Sequence, residues 1–190
     1  ATLVRRPVWA LAAVALLAAL PVLGIVGPRT SGPEVQEAVA DYATRTAEVR
    51  SVTLEDGTVV TLGARSEIDT SFTPTERRVT LLSGEAFFEV TKDPGRPFYV
   101  AAQDTLVRVV GTKFDVKRSA DIVHVSVLEG VVEVMKPDNI EQAIRTGSAG
   151  MPDRKVLKAG ERVSAARRVA LPEAKQVETA RPGAWRDGRL

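Results

Sequence analysis

The pattern of apolar and polar positions divides the chain into one long apolar run and many short alternating ones. From Pro7 to Pro28 no residue is ionisable, and Val8–Gly27 holds nothing more polar than glycine, proline and Trp9. As a helix, this stretch of 20 residues covers about 30 Å, the thickness of a bilayer core. Arg5 and Arg6 precede it and Arg29 follows, a bias that places the N-terminus on the cytoplasmic side. Pro21 removes a backbone donor and kinks the last turns. A signal peptide and a buried core helix are the competing readings. A signal peptide has a shorter apolar core, and Gly24-Ile25-Val26-Gly27 is a poor cleavage site. The pattern therefore predicts a stub over 1–7, a transmembrane helix over 8–27 and a juxtamembrane linker over 28–41.

Beyond Tyr42 the period changes to two. Val49–Leu54 and Thr58–Leu62 flank Asp56-Gly57, a strong hairpin signal because glycine supplies the positive φ of such turns. Further strands are expected at Glu67–Phe72, Arg77–Leu82, Ala86–Thr91, Pro97–Ala101, Leu106–Val110, Lys113–Lys117, Ile122–Leu128 and Val131–Met135, with weaker ones at Lys155–Leu157 and Glu161–Ala165. A leucine precedes glycine by two or three residues at Gly57, Gly84, Gly130 and Gly160, which reads as a succession of hairpin turns. The fold class expected is all-β, an antiparallel two-sheet roll or sandwich over residues 42–166, with a short β-helix-like stack as the alternative. Residues 167–190 read as a linker and the start of a further domain, carrying Trp185.

Composition removes several chemistries. The chain has no cysteine and one histidine, so disulfides, thiolate sites and multi-histidine metal centres are excluded, and neither metal nor cofactor is expected. The net charge of +2 comes from 26 basic and 24 acidic residues, and Arg5 and Arg6 account for the excess. No cationic footprint remains for nucleic acid. No glycine-rich loop sits between a strand and a helix, so nucleotide binding is not expected either.

The candidate chemistry is sparse. Thr112 follows Gly111, and a threonine hydroxyl can attack a carbonyl when a base or strain assists it. The carbonyl just before it is Gly111's, and attack there would exchange the peptide bond for an ester. The bland alternative is a bulge or turn leading into a strand. His124 shares a strand face with Ile122, Ser126 and Leu128, opposite Val123, Val125 and Val127, and reads first as a hydrogen-bonded strand histidine. His124, Asp115 and Asp104 are weak candidate helpers for Thr112, by nearness in sequence alone. Asp104 and Asp115 are also a remote candidate for a hydrolytic carboxylate pair.

One series of motifs carries a resemblance. The stretch Leu54–Leu62, Ser66, the run Arg78–Val90, Arg96–Val100, Val107–Val116 and Val125–Val134, in that order, resemble the FecR family of transmembrane sensors and anti-sigma regulators. The resemblance implies an inner-membrane protein with a cytoplasmic N-terminus and a periplasmic β domain. That domain would receive a signal from the signalling domain of an outer-membrane TonB-dependent transducer. Transcription by an extracytoplasmic-function sigma factor in iron uptake would be the output, the sigma factor being held by an N-terminal domain outside these residues. It also implies self-cleavage between Gly111 and Thr112 in the motif Gly111-Thr112-Lys113-Phe114-Asp115-Val116 by an N-to-O acyl shift, followed by membrane proteases. On this reading the chain is the anchor and central β domain of a longer regulator and is not an enzyme. The alternatives are a structural or ligand-binding β domain anchored to the membrane. Sugar stacking is disfavoured because Trp185 is the only tryptophan outside the apolar run.

Overall fold

Nearly every alternating run beyond Arg50 becomes a strand in the computed structural model, which describes residues 40–147, 151–177 and 182–187. The strands are β1 (Tyr42–Ala43), β2 (Arg50–Thr53), β3 (Val59–Leu62), β4 (Glu67–Phe72), β5 (Arg77–Glu89), β6 (Phe98–Ala102) and β7 (Thr105–Val109). They continue with β8 (Lys113–Arg118), β9 (Ile122–Glu129), β10 (Val131–Met135), β11 (Arg154–Lys158), β12 (Glu161–Ala166) and β13 (Lys175–Gln176). One helix, α1 (Ile140–Thr146), and a 3-10 turn, Ala184–Asp187, complete the described elements. The expected stub, the transmembrane helix and residues 28–39 of the linker lie outside the described residues. Among those described, no helix is long and apolar enough to cross a membrane.

The sheet is organised around β5. Its first half belongs to one arm, ordered β11-β10-β7-β6-β5-β4-β1, and its second half to another, ordered β13-β12-β9-β8-β5-β3-β2. Every pairing is antiparallel except β5 with β6. A β-helical stack would pair its coils in parallel, so the curled two-arm arrangement replaces that alternative. The arms fold over one core in which Val79, Val100 and Val134 of the first meet Phe88, Phe114 and Val125 of the second. Alternation explains the choice: in β9, Val123, Val125 and Val127 are fully buried while Ile122 and Leu128 stay on the outer face. Each such buried side chain contributes about 1.5–3 kcal/mol.

Three expectations are corrected. The chain is mostly rather than wholly β, because α1 packs Ala143 and Ile144 on Tyr99, Ala101, Leu106 and Met135 outside the main core. Asn139 caps this helix, its side-chain oxygen accepting from Gln142 N at 2.9 Å. Second, Leu82-Ser83-Gly84-Glu85 is not a turn, and Arg77–Leu82 and Ala86–Glu89 are halves of one strand. Gly84 has φ +79, and a Cβ there would lie 2.2 Å from Ser66 Oγ. The Ser66 hydroxyl occupies that space, accepting from Glu85 N at 2.9 Å and donating to Glu85 O at 3.0 Å. The glycine lets β5 pass from one arm to the other with its backbone groups still bonded. Third, part of the expected C-terminal linker is structured on the β domain, as β13 and as the turn carrying Trp185.

Candidate functional site

Gly111 and Thr112 lie in the short link between β7 and β8. Residues 90–93 bracket them: Asp93 N donates to Val110 O at 2.9 Å, and Val90 N donates to Thr112 O at 3.0 Å. A Cβ on Gly111 would come within 2.7 Å of Lys92 Cα and Cβ, so glycine is required here for space. From the other side comes Gly130, in the β9–β10 turn with φ +90, where a Cβ would lie 2.7 Å from Thr112 Cγ2. Thr112 is thus packed between two backbone segments and is 5% exposed. Its Oγ1 is buried and has no hydrogen-bond partner among the described residues. Buried hydroxyls are normally bonded, which sets this one apart.

The bracketing segment is itself pinned by a buried ion pair. Arg77 Nη1 donates to Asp56 Oδ2 at 2.8 Å and to Thr91 O at 2.9 Å, and Arg77 Nε donates to Arg96 O at 2.9 Å. Asp56 also accepts from Thr58 N and Oγ1, and Thr91 N donates to Thr58 Oγ1 at 3.2 Å. The hairpin turn at Asp56-Gly57 therefore reaches the Gly111–Thr112 link through Thr91 and the backbone of residues 90–93. Sequence reasoning missed Arg77, Lys92 and Gly130 as parts of this site. Gly130 carried a usable signal, the Leu128-Glu129-Gly130 turn, but nothing local says that this turn lies against Thr112.

The expected helpers are elsewhere. Asp115 is three residues along β8 from Thr112, and its side chain lies on the outer face of the second arm. There Asp115 Oδ1 accepts from Trp185 Nε1 at 3.0 Å. Burial first, then the charge of Glu85, raises its carboxyl to about 7. His124 is brought to the same face, where its Nδ1 and Ser164 Oγ are 2.8 Å apart. Burial, then Arg162 and Lys117, depress its basicity. Asp115 and His124 line one small cavity of about 250 Å³ with Glu85, Lys117, Ser126 and Arg162. Asp104 lies in the β6–β7 turn, paired with Lys136 at 3.1 Å and accepting from Arg168 N at 2.8 Å. None of the three is bonded to Thr112 Oγ1. Asp104 and Asp115 occupy different sites and form no pair. Among the described residues no group of three or more acidic or histidine side chains could hold a metal ion.

Comparison with known proteins agrees with this geometry. The family model for FecR protein matches residues 40–133, which run from before β1 to β10 and include the Gly111–Thr112 link. Two crystal structures of a "putative anti-sigma factor" from Parabacteroides distasonis ATCC 8503 are similar, at 31% and 32% identity with TM-scores of 0.58 and 0.57. Each match covers 71% of this chain and 58% of the other, so the chain spans somewhat over half the length of those relatives. No curated protein matches. The family match and the solved relatives converge on one assignment: residues 40–133, the greater part of the β domain, belong to the FecR family.

Proposed function

We propose that this chain is the signal-receiving part of an anti-sigma regulator, anchored in a bacterial inner membrane by residues 8–27 with its β domain in the periplasm. The observation that carries the reading is the FecR match over residues 40–133, supported by the solved anti-sigma relatives at 31% identity. The signalling domain of an outer-membrane TonB-dependent transducer is the proposed partner, and control of an extracytoplasmic-function sigma factor in iron uptake is the proposed output. The domain acts by transmitting a change of state, not by turning over a substrate.

Self-cleavage supplies a discrete step within this reading. Thr112 Oγ1 attacks the Gly111 carbonyl carbon, the C–N bond breaks, and the hydroxyl proton passes to the departing Thr112 nitrogen. Water then hydrolyses the ester, leaving a Gly111 carboxylate and restoring the threonine hydroxyl. Supporting it are the unbonded Oγ1, the bracketing backbone bonds and the two glycines that give the link its room. Neither Asp115 nor His124 is bonded to Thr112 Oγ1, and packing of the link is the assistance this reading assigns.

Intact mass and denaturing gels of the parent beside Thr112→Ala and Thr112→Ser test the step. The parent is expected to split between Gly111 and Thr112, the alanine variant to stay whole and the serine variant to split in part. Fragmentation of the alanine variant like the parent would remove the mechanism. A sigma-dependent reporter in the source bacterium tests the wider reading. Deleting the segment encoding residues 40–177 should uncouple the reporter from its inducer, and an unchanged response would overturn the proposed role.

A further inference from the structure

Phe87 is an apolar side chain on the wrong side of its sheet. Its neighbours Ala86 and Phe88 point into the core, while Phe87 belongs to neither hydrophobic cluster and yet is fully buried. What covers it is the segment Gly183–Arg186. The Arg186 guanidinium lies 3.6 Å from the Phe87 ring centroid, and Arg186 Nη1 donates to Glu89 at 3.2 Å. Gly183, with φ +74, sits so close that a Cβ would fall 2.4 Å from Phe87 Cδ2. Trp185 completes the seat, its indole near Gly63 and its Nε1 donating to Asp115. These contacts combine a stacked cation, a charge-assisted bond and a shape fit that requires glycine. They make an interaction surface whose occupant is this chain's own Trp-Arg segment.

Beneath that occupant lie two carboxylates. Phe87 pairs with Asp115 and Glu85 with Lys117 across β5 and β8, so Glu85 and Asp115 are diagonal neighbours on one face. The groups facing them are Lys117, 3.5 Å from Glu85, then His124 and Ser126 of β9, and Arg162 of β12, whose Nε donates to Ser126 Oγ at 2.8 Å. Above are Trp185 and Arg186, the latter engaged with Glu89. Lys113 also reaches Glu89, at 3.5 Å, at the far end of the same strand pair. Arg162 is thus engaged with Ser126, Arg186 with Glu89 and Lys117 with Glu85, and the Lys117 charge works against the rise at Asp115.

We propose that residues 183–186 form a releasable latch over Phe87, closed while Asp115 carries a proton beside Glu85 and opened when that proton leaves. An ionised Asp115 under the latch has Trp185 Nε1 as its close donor and the Glu85 charge at its side. Lifting the segment restores water to both carboxylates, and burial is the larger influence on Asp115. The closed form holds the proton more tightly than the open form, so closure is complete in acid and is lost as pH rises through about 7. Opening bares Phe87, a site for any segment presenting an indole beside a guanidinium. The latch rests on Phe87, Glu89 and Asp115 and does not depend on the cleavage chemistry.

Trp185 reports on the latch directly once Trp9, the chain's other tryptophan, is replaced by phenylalanine. Acrylamide quenching of the full chain in detergent is followed from about pH 5 to about pH 9. Quenching should be low in acid and rise as pH passes through the range in which Asp115 loses its proton. In Asp115→Asn, which retains an acceptor for the indole, the rise should be lost and Trp185 stay protected. In His124→Asn the midpoint should persist. Gly183→Val should leave Trp185 accessible at every pH. A parent quenched no less than Gly183→Val in acid would show that the segment is not seated. A rise unchanged in Asp115→Asn, or abolished in His124→Asn, would take the proton away from Asp115. Each of these results would overturn the proposal.

Discussion

Arg77 is a cation with no exposed surface, held against an Asp56 side chain that is 1% exposed. Removing one member of such a pair leaves an uncompensated buried charge, and the expected cost of Arg77→Ala is about 3–5 kcal/mol. Denaturant unfolding measures it. A loss under about 1 kcal/mol would mean that Asp56 finds other partners. Asp115 makes a prediction about pH. Its carboxyl is raised from 3.8 to about 7, so its contribution to stability is fully present below about 4 and is lost as pH rises through about 7. Asp41 and Asp104 act in the opposite sense. Thr70 bonds lower the first, and bonds from Arg168 and Lys136 prevail over burial to lower the second, so their contributions fade in acid. The difference in melting temperature between parent and Asp115→Asn isolates the Asp115 effect. That difference should favour the variant increasingly above neutrality. A constant difference across the range would contradict the assignment. Sequence alone marked Asp115 as a neighbour of Thr112 and a remote partner for Asp104, because strand alternation gives its face but not what covers that face.

At the scale of elements, β5 shows why local punctuation misleads. Gly57 and Gly84 both follow a leucine and both have positive φ, +80 and +79. At Gly57 the nearest atom to an added Cβ is Thr91 Oγ1 at 3.4 Å, so Gly57→Ala should cost only its backbone conformation, about 1 kcal/mol. At Gly84 the added carbon meets Ser66 Oγ at 2.2 Å and Arg65 O at 2.7 Å, and Gly84→Ala should cost about 3 kcal/mol or more. Urea unfolding of the two variants side by side decides this. Equal losses would show that the strand crossing has room to relax. The hairpin at Asp56-Gly57 was readable because its bonds are local, Leu54 N to Thr58 O at 2.8 Å and Gly57 N to Leu54 O at 3.0 Å. The crossing at Gly84 was not, because Ser66 fills it from the link between β3 and β4. Helix α1 escaped notice although Ile140, Ala143 and Ile144 have helical spacing. Seven residues give too weak a period, and the face they cover belongs to β6, β7 and β10.

For the molecule as a whole, the latch ties the last described segment to the middle of the second arm. Ending the chain after Val177 should expose Phe87 and lower the melting temperature by about 2–6 °C, the equivalent of one to two kcal/mol of burial. Differential scanning calorimetry reads this, and an unchanged transition would show that the segment contributes nothing to stability. The β-rich class, most strand positions, the inward and outward faces of β9 and the FecR resemblance are all legible in the order of residues. All of these rest on patterns that repeat within a few residues or on motifs read in order. That one strand serves both arms, and that a buried Arg77–Asp56 pair steadies the backbone around Gly111–Thr112, emerges from the folded arrangement alone. The same arrangement sets Asp115 and His124 around one cavity, with neither bonded to Thr112 Oγ1, and brings Trp185 back to Asp115 across 70 positions. Long-range pairing brings those groups together, and no local period encodes which distant segment will arrive at a given face.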